Sequence, residues 1–302
     1  MTSGRIAATA LAGLLCAARA DAAELVLDAA NGFQIPTVLN HQPVTLRVDL
    51  ESPGQPVLNP APASRAGLRT SHYGARAMIG PVWFDGRTDL GWFTVADVRR
   101  QHRFAWFRRR IVDDVDGIVS PHLLPYDSVV FRLREERPGE VTTILAMRFD
   151  RSAGLYVPLS LGGRGLAVQF STLQAHSLAS ASAGAHIASL QGGEWTGGSR
   201  DVPVRFRVVR PVRPMRLERP LDLSGFRVAD LMVRVADHRG RYRLPADAQQ
   251  DPDEIVVTGN VERQPPRLFL TIGADRLSAC SSLVYARAAR TLTLRCLPVG
   301  GA

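Results

Sequence analysis

Apolar and polar residues alternate along much of the chain. Val44-Thr45-Leu46-Arg47-Val48, Val204-Arg205-Phe206-Arg207-Val208 and Leu231-Met232-Val233-Arg234-Val235 each place apolar side chains at period two. This pattern predicts half-buried β-strands. Val82-Trp83-Phe84 followed by Asp85-Gly86 reads as a strand running into a hairpin turn, because Asp-Gly suits turns with positive φ. Helical patterning is short: residues 60–66, 121–124 and the Ala/Ser-rich 178–190. Residues 134–140 (REERPGE) read as a charged hairpin tip, and the acidic, Pro-containing 246–254 as an exposed loop. The expected fold class is mainly β with short helices.

The pattern also repeats. Val44-Thr45-Leu46-Arg47-Val48-Asp49 aligns with Leu166-Ala167-Val168-Gln169-Phe170-Ser171, and a small-residue helix follows each. Further on, the segment from Gly117 to Leu124 aligns with that from Leu270 to Leu277. Each then runs into a closing hairpin, expected over 129–147 in the first half and 282–295 in the second. Two similar β-rich lobes follow, at 24–150 and 151–302, with Gly162-Gly163-Arg164-Gly165 expected as the turn between them.

The start of the chain is patterned differently. Arg5 precedes an apolar run over 6–18, and Ala20-Asp21-Ala22-Ala23 offers small residues for cleavage. Residues 1–23 are therefore expected to be a secretory signal peptide. Leu15 precedes Cys16 where a lipid-attachment signal wants a small residue, so cleavage rather than lipidation is expected. The run is too short to span a bilayer comfortably, and no later stretch is long and apolar enough to do so. The predicted address is the periplasm, or the outside, of a Gram-negative bacterium.

Composition narrows the classes further. With 45% hydrophobic residues, 26 Gly and 20 Pro, the chain is globular and turn-rich rather than disordered. Its formal charge is +9 and all 37 basic residues are Arg. They are scattered apart from Arg108-Arg109-Arg110, and no helix-turn-helix or zinc-finger pattern accompanies them. Nucleic acid is thus not expected as a partner. Attraction to an anionic envelope surface stays open. After leader cleavage Cys280 and Cys296 remain. A hairpin turning at 286–290 would set them opposite each other, so a structural disulfide is expected in an oxidising compartment. The seven His show no metal-binding spacing, and no Ser sits in a G-x-S-x-G frame, so no metal or cofactor is expected.

The two-lobed plan resembles the aspartic protease superfamily, the two-lobed pepsin type and its single-lobe retropepsin relatives. The residues that carry the resemblance are Leu46-Arg47-Val48-Asp49-Leu50-Glu51-Ser52 with the small-residue helix after it. To these are added Asp116-Gly117-Ile118-Val119-Ser120-Pro121-His122-Leu123-Leu124 and, in the second half, Leu270-Thr271-Ile272-Gly273. The family implies an interlobe cleft under a flap. It also implies two carboxylates sharing a proton, each followed by a hydroxyl residue and Gly.

Here the pattern departs. Asp49 is kept, but Leu50 and Glu51 replace the hydroxyl residue and the Gly; the second Asp position is Ser171, followed by Thr172 and Leu173; and Ser120 stands where Gly is usual. A lone Asp49 is expected to titrate as an ordinary carboxylate. Glu51 and Asp222, within Asp222-Leu223-Ser224-Gly225, are the alternative partners weighed, and Asp222 reads first as a turn residue. Three Trp-Phe pairs make Trp83, Trp92 and Trp106 candidates for lining the cleft, against a core role. Residues 253–260 resemble a segment near the start of outer-membrane receptors, but mid-chain they are expected to be a strand. The expected function is an exported, catalytically degenerate aspartic-protease-like protein that binds a peptide or protein segment, and two lobes in one chain suit a monomer. The alternative is an active, atypical aspartic endopeptidase using Asp49 and a second, unidentified carboxylate.

Overall fold

The computed structural model describes residues 23–237, 244 and 267–298. The leader (apart from Ala23), His238, the acidic segment at 246–254 and the segment at 253–260 lie outside the described residues. The first half contains β1 (Glu24–Asp28), β2 (Gln34–Leu39), β3 (Gln42–Val48), β4 (Val57–Leu58), α1 (Pro60–Arg65), β5 (Gly74–Ile79), β6 (Val82–Val95), β7 (Val98–Phe107), β8 (Gly117–Val119), β9 (Ser128–Arg132), β10 (Val141–Ala146) and β11 (Arg148–Asp150). The second contains β12 (Gly154–Leu161), β13 (Arg164–Phe170), β14 (Leu178–Ala179), α2 (Ala181–Gln191), β15 (Gly193–Trp195), β16 (Arg200–Val204), β17 (Val208–Leu223), β18 (Phe226–Arg234), β19 (Leu268–Ile272), α3 (Ala274–Leu277), β20 (Cys280–Ala286) and β21 (Thr291–Cys296). The protein is mainly β, with short helices and two similarly wired β-rich halves.

The wiring shows the repeat directly. In the first half β3 pairs with β2 and, in parallel, with β8; β8 pairs with β4, which pairs with β7. In the second half β13 pairs with β12 and, in parallel, with β19; β19 pairs with β14, which pairs with β18. The register agrees residue for residue: Val48 lies opposite Val119, and Phe170 opposite Ile272. Apolar residues from both halves merge into one core around Leu46, Val48, Phe104, Phe170 and Leu270.

A third sheet joins the halves, in the order β1-β9-β20-β21-β10. The closing hairpin expected over 129–147 does not form. The second half's β20–β21 hairpin sits between β9 and β10, pairing with each. Residues 134–140 are instead a loop over that hairpin, and in it Arg134 pairs with buried Glu140 at 2.6 Å. Sequence spacing cannot distinguish a hairpin from two strands split by an intruder, because both alternate alike.

Three other local readings change. Asp85-Gly86 lies inside β6, and the turn comes earlier, at Gly80 with φ +59°. A Cβ on Gly86 would meet the Phe107 ring at 2.5 Å, so this Gly marks close packing within a sheet rather than a turn. Residues 204–208 are not a continuous strand: Phe206 and Arg207 have positive φ and turn β16 into β17. The alternation survives because Val204, Phe206 and Val208 all bury on one side of the tip. Gly162-Gly163, both at positive φ, form the tight turn between β12 and β13, not a link between the halves.

Cys280 and Cys296 are cross-strand neighbours in the β20–β21 hairpin and are joined by a disulfide. They close a loop with a sequence separation of 16 residues, so the constraint on the unfolded chain is worth about 3 kcal/mol. A Cys280→Ala/Cys296→Ala variant is expected to lose about that much stability in urea unfolding. An unchanged midpoint would show that the wedged hairpin does not depend on the bond.

Candidate functional site

Two strand ends meet where the halves face each other. β3 ends at Val48, and the next residue, Asp49, donates its N–H to the Val119 carbonyl at 3.0 Å. β13 ends at Phe170, and Ser171 donates its N–H to the Ile272 carbonyl, also at 3.0 Å. Equivalent backbone bonds thus bring Asp49 and Ser171 into opposition. The Ser171 hydroxyl lies 3.1 and 3.2 Å from the two carboxylate oxygens of Asp49. Asp49 is only 2% exposed and Ser171 is fully buried.

The second half supplies most of the donors. The Thr172 N–H reaches Asp49 Oδ1 at 2.8 Å and its hydroxyl at 3.2 Å, while the Glu51 N–H reaches Oδ2 at 3.2 Å. The Ser171 oxygen also accepts the N–H groups of Leu173 and Gln174. Its hydrogen goes to Asp49 and its lone pairs to the backbone, so it is committed on all sides. Among the described residues no other carboxylate hydrogen-bonds to Asp49. Glu51 instead accepts the Thr271 hydroxyl at 3.2 Å. Asp222 caps the β17–β18 turn by accepting the Gly225 N–H at 2.6 Å. Neither alternative partner completes a dyad.

Asp49 does not titrate as an ordinary carboxylate. Burial, and then the charge of Glu51, push it up from 3.8 to about 6, against the opposing pull of Thr172 and Ser171. Nearby, the Ser120 hydroxyl and His122 Nδ1 are 2.7 Å apart, and burial pulls His122 down to about 4. That Ser-His pair is unsuited to nucleophilic work, since Ser120 is fully buried and so weakly basic a ring is a poor base.

The cleft is shaped by two hairpin tips. The β5–β6 tip comes from the first half and the β16–β17 tip from the second. Phe206, at the latter tip, packs against Phe84 and Phe107, which touch each other edge to face, with ring centroids 6.2 and 5.7 Å away. Arg205 donates to the Glu51 carbonyl at 2.9 Å, and Gln174 to the Pro203 carbonyl at 3.2 Å. The tip splits the groove into a cavity of about 210 Å³ beside Asp49 and one of about 370 Å³ beyond it. The buried Ser52 hydroxyl has no partner among the described residues and borders the smaller cavity.

The tryptophans stand elsewhere. Trp83 and Trp92 are 52% and 46% exposed, and Trp92 lies under Arg99 at 4.6 Å. Trp106 borders a shallow surface groove with Phe84 and Arg109. None of the three lines either cleft cavity; the buried member of two pairs is the Phe, Phe93 and Phe107. No sequence signal marks Phe206, which sits in a turn at positive φ without Gly; Thr172 stands where the resemblance wants a hydroxyl residue, but its donation to Asp49 requires two distant strand ends.

No family model matches the chain, and no curated protein matches it. Among solved structures it is similar to the EIAV protease complexed with the inhibitor HBY-793, at 17% identity and a TM-score of 0.23, over 29% of this chain and 79% of that one. A likeness that weak carries no conclusion on fold or function. Among the described residues no helix is long and apolar enough to cross a membrane, and no group of three His, Cys, Asp or Glu converges as a metal site.

Two measurements follow. Between pH 3.8 and about 6 the folded state holds a proton on Asp49 that the unfolded chain has lost. Asp49 therefore makes stability fall as pH rises through that window, by about 3 kcal/mol in total. His122 acts in the opposite sense, since the unfolded chain protonates it first. The test is thus the difference between wild type and Asp49→Asn in urea unfolding from pH 3.5 to pH 7.5. Wild type is expected to lose about 3 kcal/mol relative to the variant, and parallel curves would refute the burial argument. Phe206→Ala is expected to cost about 3 kcal/mol and to join the two cavities.

Proposed function

We propose that the chain is an exported, aspartic-protease-like protein with lobes at 24–150 and 151–302, and that it binds an extended peptide or protein segment in the interlobe cleft without cleaving it. The observation that carries this reading is the Asp49–Ser171 contact. Aspartic-type hydrolysis needs one carboxylate as base and a second as acid toward the attacking water. A hydroxyl committed to Asp49, Leu173 and Gln174 supplies no such acid.

Peptide binding is supported by the cleft's edges. Among the described residues β5 ends its sheet and pairs on one side only, with β6. Its free edge beside the larger cavity suits strand addition by an extended segment. The disulfide suits an oxidising compartment such as the periplasm. A monomer that touches anionic envelope surfaces through its Arg excess completes the proposal.

The competing reading, an active peptidase using Asp49, draws on the raised pKa and on the unpartnered Ser52 beside it. One experiment separates them. The mature protein is incubated with an unfolded protein substrate between pH 3.5 and pH 6, with and without pepstatin. No cleavage is expected, and Asp49→Asn is expected to behave as wild type. Pepstatin-sensitive cleavage that is lost in Asp49→Asn would overturn the degenerate reading.

A further inference from the structure

The larger cavity is chemically lopsided. Arg151, Arg205, Arg234 and Arg267 face it, and the carboxylate among its described lining residues is Glu51. A fifth arginine, Arg76, is turned to Asp85 at 2.6 Å. Arg205 is held by the Glu51 carbonyl and lies over the Phe206 ring. Arg151 and Arg267 are exposed at the rim, and no carboxylate is in ion-pair contact with either among the described residues. Asp150, near Arg267, is engaged by the Ser152 and Ala153 N–H groups of its own turn.

Arg234 is the deepest of the set. It pairs with Asp237 at 3.3 Å, but that carboxylate also accepts the Ala181 and Ser182 N–H groups at the start of α2. The Asp237 charge is therefore shared. Arg210, on β17, and Arg234, on β18, both reach the β5–β6 tip: a Cβ at Gly80 would stand 3.6 Å from Arg210 Nε and 4.0 Å from Arg234 Nη1. Burial pulls Arg234 below the usual guanidinium value; Asp237 opposes this, Arg210 adds to it, and Glu51 opposes it more weakly. An anion placed here would offset the Arg210 charge. Val57, Phe107 and Phe269 add apolar walls, and β5, whose outer edge has no strand partner among the described residues, runs along one side. A small inorganic anion would leave the walls and the edge unused, whereas an extended peptide bearing a carboxylate would use all three.

We propose that the larger cavity selects acidic peptides. A segment pairs with the free edge of β5 and places a carboxylate, from an aspartate side chain or a C-terminus, against Arg151, Arg234 and Arg267. Bidentate guanidinium–carboxylate bonds are the strong, directional kind that confer such a preference. This inference rests on the peptide-binding reading above.

The test uses the mature, disulfide-bonded protein and hexapeptides of alternating alanine and valine, each labelled at the N-terminus through an amide with an uncharged boron-dipyrromethene dye. One carries a central aspartate and its match carries asparagine, each with a free or an amidated C-terminus. Fluorescence anisotropy at pH 7 and moderate salt gives the affinities. A peptide with at least one carboxylate is expected to bind about tenfold or more tightly than the fully neutral one. The free/amidated arms show which carboxylate is read. In an Arg151→Gln/Arg267→Gln variant that keeps its circular dichroism and urea midpoint, that ratio is expected to collapse toward one. Equal binding of charged and neutral peptides would overturn the acidic preference and leave the cleft reading standing. Complete displacement of the acidic peptide by excess inorganic phosphate at equal ionic strength would reduce the cavity to a plain anion site and overturn the strand-paired carboxylate. No binding by any peptide would overturn both readings.

Discussion

A carboxylate buried where two half-folds meet must find hydrogen-bond donors, and most of those for Asp49 come from the opposite half. Thr172 gives an N–H and a hydroxyl, and Ser171 gives a hydroxyl. A buried charge left without them would cost far more than the net worth of any one bond. The contact therefore fixes how the ends of β3 and β13 face each other. The two cavities, the hairpin tip and the Glu51–Thr271 bond all lie around that fixed point. Even so, the donors do not fully offset burial, which is why Asp49 holds its proton to about pH 6.

The sheet β1-β9-β20-β21-β10 secures the same relationship from behind. With β20–β21 inserted between β9 and β10, the halves cannot separate without breaking two strand pairings. The disulfide ties the two ends of that hairpin together. On the cleft side the Phe206 tip performs a comparable function with apolar contacts to Phe84 and Phe107. The groove is closed in its middle by its own hairpin, with a basic pocket on one side and a hydrogen-bonded Asp-Ser pair on the other.

Much of the fold was legible in the sequence. Alternation placed β3 and β18, and the aligned hexamers added β13 and anticipated which residues would occupy equivalent positions, down to Asp49 opposite Ser171. The hairpin around 288 placed Cys280 beside Cys296. What misled was ambiguity in short signals. Asp-Gly reads as a turn, but Gly86 is demanded by the Phe107 ring across the sheet. Val204-Arg205-Phe206-Arg207-Val208 alternates through a turn because its apolar residues pack into a cluster shared with the other half. The Trp-Phe pairs drew attention to Trp, while two of the buried partners are Phe.

The sequence by itself determined the class of structure, the repeat, the disulfide pairing and the presence of Ser171 rather than a carboxylate at the position equivalent to Asp49, because each is carried by residue identity and local spacing. Only the tertiary structure decided the pKa of Asp49, the intrusion of β20–β21 into the first half's sheet, the closing of the cleft by Phe206 and the gathering of Arg151, Arg205, Arg234 and Arg267 around one cavity. Those depend on dielectric, on donors and on charges brought together from positions far apart in the chain, and no local pattern encodes such distances.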